Sequence, residues 1–394
     1  MTAEIPPLPD DPLGDDLDGL VERLRLRDRA TALDRNPSFP WPEFRAMGEG
    51  RWLGLDRPTS EGGRGLPPVR AARLLYRLAY RAGTAFAKLS LQPGFSSVLG
   101  EHGSPSLREA YYRPLMEGAV LVGNHLTEPD AGSDLGRMAA TAERRGGSYR
   151  LTGTKTEAAF AVDASAAIVY ARRPGTSGLR GITAFLVPQE GSGIERGIVP
   201  DLGERWMRRG WVRYRDVEVP EDHRIGEEGE AIRYLAPELA RERAYLAMIY
   251  LGVARASWEE TALRAGERRV FDRPLAEHEA VGFPLMEDWG ELEATRLYAE
   301  EALRALEAGR RAEVETSLAK VLAVRVALRT IDHAIQFHGG AGYSQALPHE
   351  QRYRDVRSGG IAHGSSEVLL RAAGRAVWRR SGEPSRGTQD RGSK

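Results

Sequence analysis

The chain has no cysteine among its 394 residues. That removes disulfides, thiolate nucleophiles, zinc–thiolate sites and iron–sulfur clusters. It also has no net charge, because 56 basic residues balance 56 acidic ones. Nothing electrostatic therefore draws it to nucleic acid or to an anionic membrane surface. Lysine is scarce: only Lys88, Lys155, Lys320 and Lys394 occur, which leaves 52 of the 56 basic residues as arginine. Most of that arginine is expected on a solvated surface, and a minority suits phosphate through the guanidinium fork. A long apolar run is missing as well. The most apolar stretch, 244–256, is too short to span a bilayer and is interrupted by Arg255. The first twenty residues are acidic and proline-rich, without the basic start and apolar core of a targeting signal. Together with the absent cysteine, this leads us to expect a cytoplasmic protein.

What is present is the composition of a globular protein, 41% hydrophobic and 28% charged, long enough for two or three domains. Residues 1–19 and 381–394 read as disordered tails. Residues 20–120 carry apolar side chains at helical spacing, with Val69, Leu74, Leu75, Leu78 and Ala79 on one face. From 121 to 230 the texture is that of short strands. Tyr149 to Thr154 alternates, and 167–171 and 182–187 are β-type runs separated by turn clusters such as Arg145-Gly146-Gly147-Ser148. From 231 to 380 long helices return, the first with Pro237 in its opening turn and running to about Arg264. The expected fold is mostly α with a middle β domain between two helical parts.

One position in that first C-terminal helix stands out. At about 100° per residue, Leu239, Leu246, Tyr250 and Val253 share an arc, and Glu242 and Arg243 fall inside it. Charged groups on the core side of a helix need partners or a cleft. They could form a buried pair bracing helices, or stay solvated at a frayed helix start. Alternatively Glu242 is a general base whose pKa is raised by apolar surroundings.

Four stretches carry a family resemblance. They are Leu126-Thr127-Glu128-Pro129-Asp130-Ala131-Gly132-Ser133-Asp134; Gly153-Thr154-Lys155; Arg268-Arg269-Val270-Phe271-Asp272-Arg273-Pro274-Leu275; and Gln336-Phe337-His338-Gly339-Gly340-Ala341-Gly342-Tyr343, followed by Arg352-Tyr353-Arg354-Asp355 and Gly364-Ser365-Ser366-Glu367. In this order and spacing, over roughly 40–380, the chain resembles the acyl-CoA dehydrogenases. The resemblance implies an N-terminal helical domain, a β-barrel-like middle domain, a C-terminal four-helix bundle and FAD as cofactor. It places Thr127, Gly132 and Ser133 against flavin, with Ser133 also against substrate, and Arg268 and Phe271 against the FAD of a neighbouring subunit. Gln336, Gly339 and Gly340 would hold pyrophosphate and adenosine, and Ser365 and Glu367 a further flavin-contacting turn. A homotetramer or homodimer follows from the shared FAD, and an electron-transfer flavoprotein is the implied electron acceptor.

The sequence departs from the family pattern in ways that bear on function. Most members place the catalytic Glu just before the Gly-Thr-Ser turn, where this chain has His363. A branch similar to isovaleryl-CoA and long-chain enzymes keeps its Glu on the helix that opens the C-terminal domain. Glu242-Arg243-Ala244 aligns there, so the resemblance makes Glu242 the base, Arg243 its orienting or substrate-binding neighbour, and His363 the second candidate. Glu157-Ala158-Ala159 replace a flavin-covering Trp-Ile-Thr, and Ala240 replaces an Asp that contacts CoA. The expected activity is α,β-dehydrogenation of an acyl-CoA or acyl-carrier-protein thioester. The alternatives are an oxygen-using flavoenzyme employing His363, or a non-redox member that has lost flavin. No metal site is expected, since His278-Glu279 lacks a second His four residues after the first.

Overall fold

The computed structural model describes residues 7–380. The N-terminal part is built from α1 (Gly14–Arg23), α2 (Leu26–Arg35), α3 (Trp41–Glu49), α4 (Pro68–Ala82), α5 (Thr84–Phe95) and α6 (Ser97–His102). The short α7 (Pro105–Leu107) and α8 (Arg113–Met116) follow, joined by a π-helical turn at Arg108–Tyr112. The expected disorder through residue 19 gives way at α1. Leu17, Leu20 and Val21 are buried on its inner face, and Asp18 takes the Arg77 guanidinium at 2.9 Å. The apolar spacing outweighs the acidic composition that suggested a tail. The expected tail at 381–394 lies outside the described residues.

α4 follows its apolar stripe, with Leu74, Leu75, Leu78 and Ala79 buried and Pro68 at its start. α4 and α5 are divided at Gly83, whose φ of +78° ends α4. Pro93, a residue that disfavours helix interiors, lies inside α5, where 84–94 are all buried. Packing there overrides local propensity.

The middle part holds β1 (Val122–His125), β2 (Thr141–Arg145), β3 (Ser148–Ala158), β4 (Ala166–Arg172), β5 (Ile182–Pro188), β6 (Ile194–Ile198), β7 (Gly210–Pro220) and β8 (Arg224–Ile225). They form one sheet in the order β6-β7-β3-β2-β4-β5-β8, and β1 adds to β4 in parallel. The period of two sorts the faces of β4. Ala167, Val169 and Ala171 join a core within the sheet domain, while Ile168 and Tyr170 face the large core shared with the helices.

The C-terminal part holds α9 (Ala231–Glu267), α10 (Glu279–Glu307), α11 (Glu313–His338), α12 (His349–Arg357) and α13 (Ser366–Arg380), with a small hairpin of β9 (Arg269–Val270) and β10 (Arg273–Pro274) between α9 and α10. α9 is the axis of the molecule. It packs against α11, α4 and α10, and every residue of 244–258 is buried. At Gly252 a Cβ would come within 2.3 Å of the Tyr76 carbonyl, so only glycine permits this approach of α9 to α4. Pro237 does not open this helix. It sits in the second turn of a helix that starts at Ala231, so the Arg233 carbonyl lacks the partner a non-proline residue would supply.

Candidate active site

Glu242 and His363 are brought together from chain positions 121 residues apart. Glu242 is on α9, only 5% exposed, and its Oε2 lies 3.7 Å from His363 Nε2. At that distance the two are neighbours without a hydrogen bond. His363 occupies a turn before α13 with a φ of +54°, and the ring packs on Phe95 at a centroid separation of 4.9 Å. Its Nδ1 is buried without a hydrogen-bond partner, although one edge of the side chain retains 27% exposure. Desolvation, with Lys320, Lys88 and Arg243 nearby, holds this imidazole well below its ordinary pKa and therefore neutral.

The turn that carries His363 is gripped from two sides. Arg243 Nε donates to the His363 carbonyl at 3.2 Å. Lys320, 1% exposed on α11, donates through Nζ to the carbonyls of Ala362 and Gly364, the latter at 2.7 Å. Burial lowers the Lys320 ammonium to about 7, and the cations Arg243 and Lys88 push in the same direction. Lys88 itself is buried, ion-paired with Glu204, and 5.1 Å above the Tyr250 ring.

Among the described residues, the basic side chain within ion-pair distance of Glu242 is His363, which is neutral. Burial raises its pKa well above the ordinary carboxylate value, and the adjacent Glu238 adds to that, against a smaller opposing influence of Arg243. Glu238 lies one helical turn earlier, 4% exposed, and is raised to about 7 by burial and by Glu101. Behind it, Arg57 contacts Asp56 at 3.4 Å and Glu101 at 3.0 Å, and Arg241 reaches Glu238 at 3.2 Å. Neither Glu238 nor Lys320 is singled out by sequence reasoning. Glu238 falls four residues before Glu242, and that i, i+4 spacing is the signal that was available.

The 126–134 turn is organised by a different carboxylate. Glu128 accepts from the backbone N–H groups of Ala139 at 2.6 Å and Ala140 at 3.1 Å, and from Lys155 Nζ at 2.7 Å. Lys155, fully buried on β3, also donates to the Leu126 carbonyl at 3.2 Å. With the turn fixed from behind, Gly132 and Ser133 face outward. Among the described residues, nothing accepts from their N–H groups or bonds the Ser133 and Thr127 hydroxyls. Gly132 is open enough that a Cβ would meet only the Thr127 methyl, at 3.7 Å. Such a row of free donors suits the polar edge of a planar heterocycle.

Glu157, in place of an indole, lies at a bulge of β3 with a φ of +55° and pairs with Arg209 at 2.8 Å. The remaining residues with an implied role lie elsewhere. Arg268 precedes the β9–β10 hairpin and Phe271 sits in its turn, 88% exposed. Arg268 stands 26 residues beyond Glu242 along α9, about 39 Å at 1.5 Å per residue. Gln336, Gly339 and Gly340 are exposed around the C-terminal end of α11. Ser365 caps α13 by accepting from Val368 N–H at 3.4 Å, and Glu367 is exposed in its first turn. Two surface concavities, of 320 and 490 Å³, share Arg27, Asp28 and Arg81 and contain none of these residues. Among the described residues no cluster of metal-ligating side chains occurs.

Comparison with known proteins agrees along the chain. Residues 21–119, 123–217 and 231–378 match the N-terminal, middle and C-terminal domains of acyl-CoA dehydrogenases. The chain is 30% identical to a 3-(aryl)acrylate reductase of Clostridium sporogenes, over 86% of this chain and 90% of that one. It is 31% identical to the short-chain specific acyl-CoA dehydrogenase of Homo sapiens, over 86% and 83%. The solved butyryl-CoA dehydrogenase of Megasphaera elsdenii superposes with a TM-score of 0.87 at 25% identity, over 95% of this chain and 100% of that one.

Proposed function

Because the chain belongs to the acyl-CoA dehydrogenase family, we propose that it is an oxidoreductase that forms the α,β double bond of an acyl thioester, with FAD as cofactor and Glu242 as the base. The observation that carries this reading is the state of Glu242: buried, unpaired, with a raised pKa, and beside the residue at the family's usual base position. A carboxylate with these surroundings accepts a proton near neutral pH better than an ordinary one. Its place next to His363, at the family's usual base position, supports Glu242 as the acceptor of the α-proton.

Each nearby residue then has a task. Glu242 takes the α-proton onto a carboxylate oxygen. Arg243 and Lys320 hold the 362–364 turn, which fixes one wall of the site. His363, neutral, fills the space beside the base without neutralising it by ion pairing. Thr127, Gly132 and Ser133 offer the donors that would hold the flavin ring edge, and bound FAD supplies the acceptor for the β-hydride. Arg268, Phe271, Gln336, Gly339 and Gly340 lie too far along α9 and α11 to serve the same chain's Glu242. They support a homo-oligomer in which these elements reach a neighbour's FAD. CoA or a carrier protein as thioester bearer, and an electron-transfer flavoprotein as acceptor, belong to this reading.

The test is an anaerobic titration of the FAD-loaded protein with acyl thioesters, followed by visible absorption. Bleaching of the flavin bands by a thioester is expected. Flavin that binds yet stays oxidised with every CoA and carrier-protein thioester would overturn the reading.

A further inference from the structure

The 362–364 turn gives three consecutive carbonyls to two cations. Lys320 Nζ takes those of Ala362 and Gly364, and Arg243 Nε takes that of His363. Across a trans peptide, the N–H of the next residue points opposite to the carbonyl. The amides of His363 and Ser365 are therefore turned away from Lys320, and that of Gly364 away from Arg243. Among the described residues none of these three N–H groups has a hydrogen-bond acceptor. The side facing Lys320 is the inner one: Lys320 is 1% exposed, whereas 363–365 are all partly exposed. The His363 and Ser365 donors thus face the accessible side of the turn, on the residue whose ring lies 3.7 Å from the Glu242 carboxylate.

Lys320 is a costly group to bury for packing alone. Among the described residues it pairs with no carboxylate, and the nearby charges of Arg243 and Lys88 repel it. A methionine of similar length would fill the same space between α11 and the turn without that cost. What methionine would not do is orient two peptide planes. Removal of an α-proton drives negative charge onto the carbonyl oxygen of a thioester, and donors fixed in advance stabilise such charge.

We propose that Lys320 is a positioning residue of the reaction: by drawing the Ala362 and Gly364 carbonyls inward, it sets the His363 and Ser365 amides outward as donors to the carbonyl oxygen of the thioester that Glu242 deprotonates. This rests on the dehydrogenase reading. Lys320 touches no reacting atom and acts through the two peptide planes.

The FAD-loaded Lys320→Met protein is expected to bind butyryl-pantetheine with a Kd within about threefold of wild type, while its limiting rate of flavin reduction falls about 10²-fold or more. A loss confined to Kd, or a limiting rate within threefold of wild type, would overturn the inference. A second readout needs no oxidation. Acetoacetyl-pantetheine gives up an α-proton to form an enolate with its own ultraviolet band, and donors at its oxygen favour that form. Wild type is expected to bind it as the enolate, and Lys320→Met to hold at least tenfold less. Equal enolate fractions in the two proteins would overturn the inference alone. An enolate held by wild type and lost in the variant, with flavin that no thioester reduces, would count against the dehydrogenase reading alone. The absence of cysteine supplies a control for folding. In Lys320→Cys the thiol is the only one in the chain, so 2-bromoethylamine in urea places an ammonium at the same reach, and 1-bromopropane a methyl group of the same shape. After refolding with FAD, the aminoethyl protein is expected to recover both readouts to within about threefold of wild type, and the propyl protein to resemble Lys320→Met. An aminoethyl protein as slow as the propyl one would overturn the inference.

Discussion

Glu128 and Glu242 are both buried glutamates, each 5% exposed, in opposite circumstances. Glu128, under the middle-domain turn, has two backbone N–H donors and an ammonium, and every partner is within 3.1 Å. Glu242, in the helical core, has a neutral imidazole at 3.7 Å and a second carboxylate one turn away. The first is spent on architecture: it ties β3 to the turn that presents Gly132 and Ser133. The second is left reactive, because among the described residues no hydrogen bond or charged partner in contact holds its carboxylate, and Arg243 only partly offsets its burial. Burial alone distinguishes nothing here; the partner set decides which carboxylate braces and which is left free to react.

The comparison breaks most decisively at Glu242. Glu242→Gln is expected to slow flavin reduction by about 10²–10⁴-fold, while the melting temperature stays level or rises, since an uncompensated buried acid is removed. A transplanted carboxylate sharpens this. In the double variant Glu242→Gln/His363→Glu, single-turnover kinetics are expected to recover at least about tenfold over Glu242→Gln, in the range that a positioned base contributes. No recovery would show that the two side chains do not address the same point.

Glu128→Gln is expected to behave in the reverse way. It leaves Lys155 buried without its counter-charge and should cost about 3–5 kcal/mol of stability, read by urea denaturation. Lys155→Met added to it should restore part of that loss. The smallest effect is in the pH dependence. Glu238 holds its proton to about 7 in the folded chain against an ordinary value of 4.5, so its contribution to stability is full below 4.5 and declines as pH rises towards 7. On the order of 3 kcal/mol of this slope should be missing in Glu238→Gln. Activity should run the other way and rise with pH as Glu242 loses its proton.

The helical period made Glu242 legible before any coordinates, because a charged residue inside an apolar arc is visible in one dimension. The three-part order was legible for the same reason, since periods of two and 3.6 differ over short windows. What stayed hidden depends on partners distant in sequence. Lys320 meets Ala362 and Gly364, and Lys155 meets Glu128, across intervals that no spacing rule connects. The scarcity of lysine was itself a signal. Lys88, Lys155 and Lys320 are all buried, at places where a compact ammonium fits between carbonyls or against one carboxylate and a planar guanidinium does not. Composition suggested a surface preference for arginine, and it marked by default the interior points where lysine was kept. Pro237 misled because a helix start is read from local residues, while α9 is extended N-terminally by packing.

The 362–364 turn keeps its shape through carbonyls held by Arg243 and Lys320, with no hydrogen bond from the side chain at 363 itself. A turn held by its backbone is indifferent to which residue it displays. Exchanging the side chain at 363, histidine for carboxylate or the reverse, therefore need not rebuild this wall of the site.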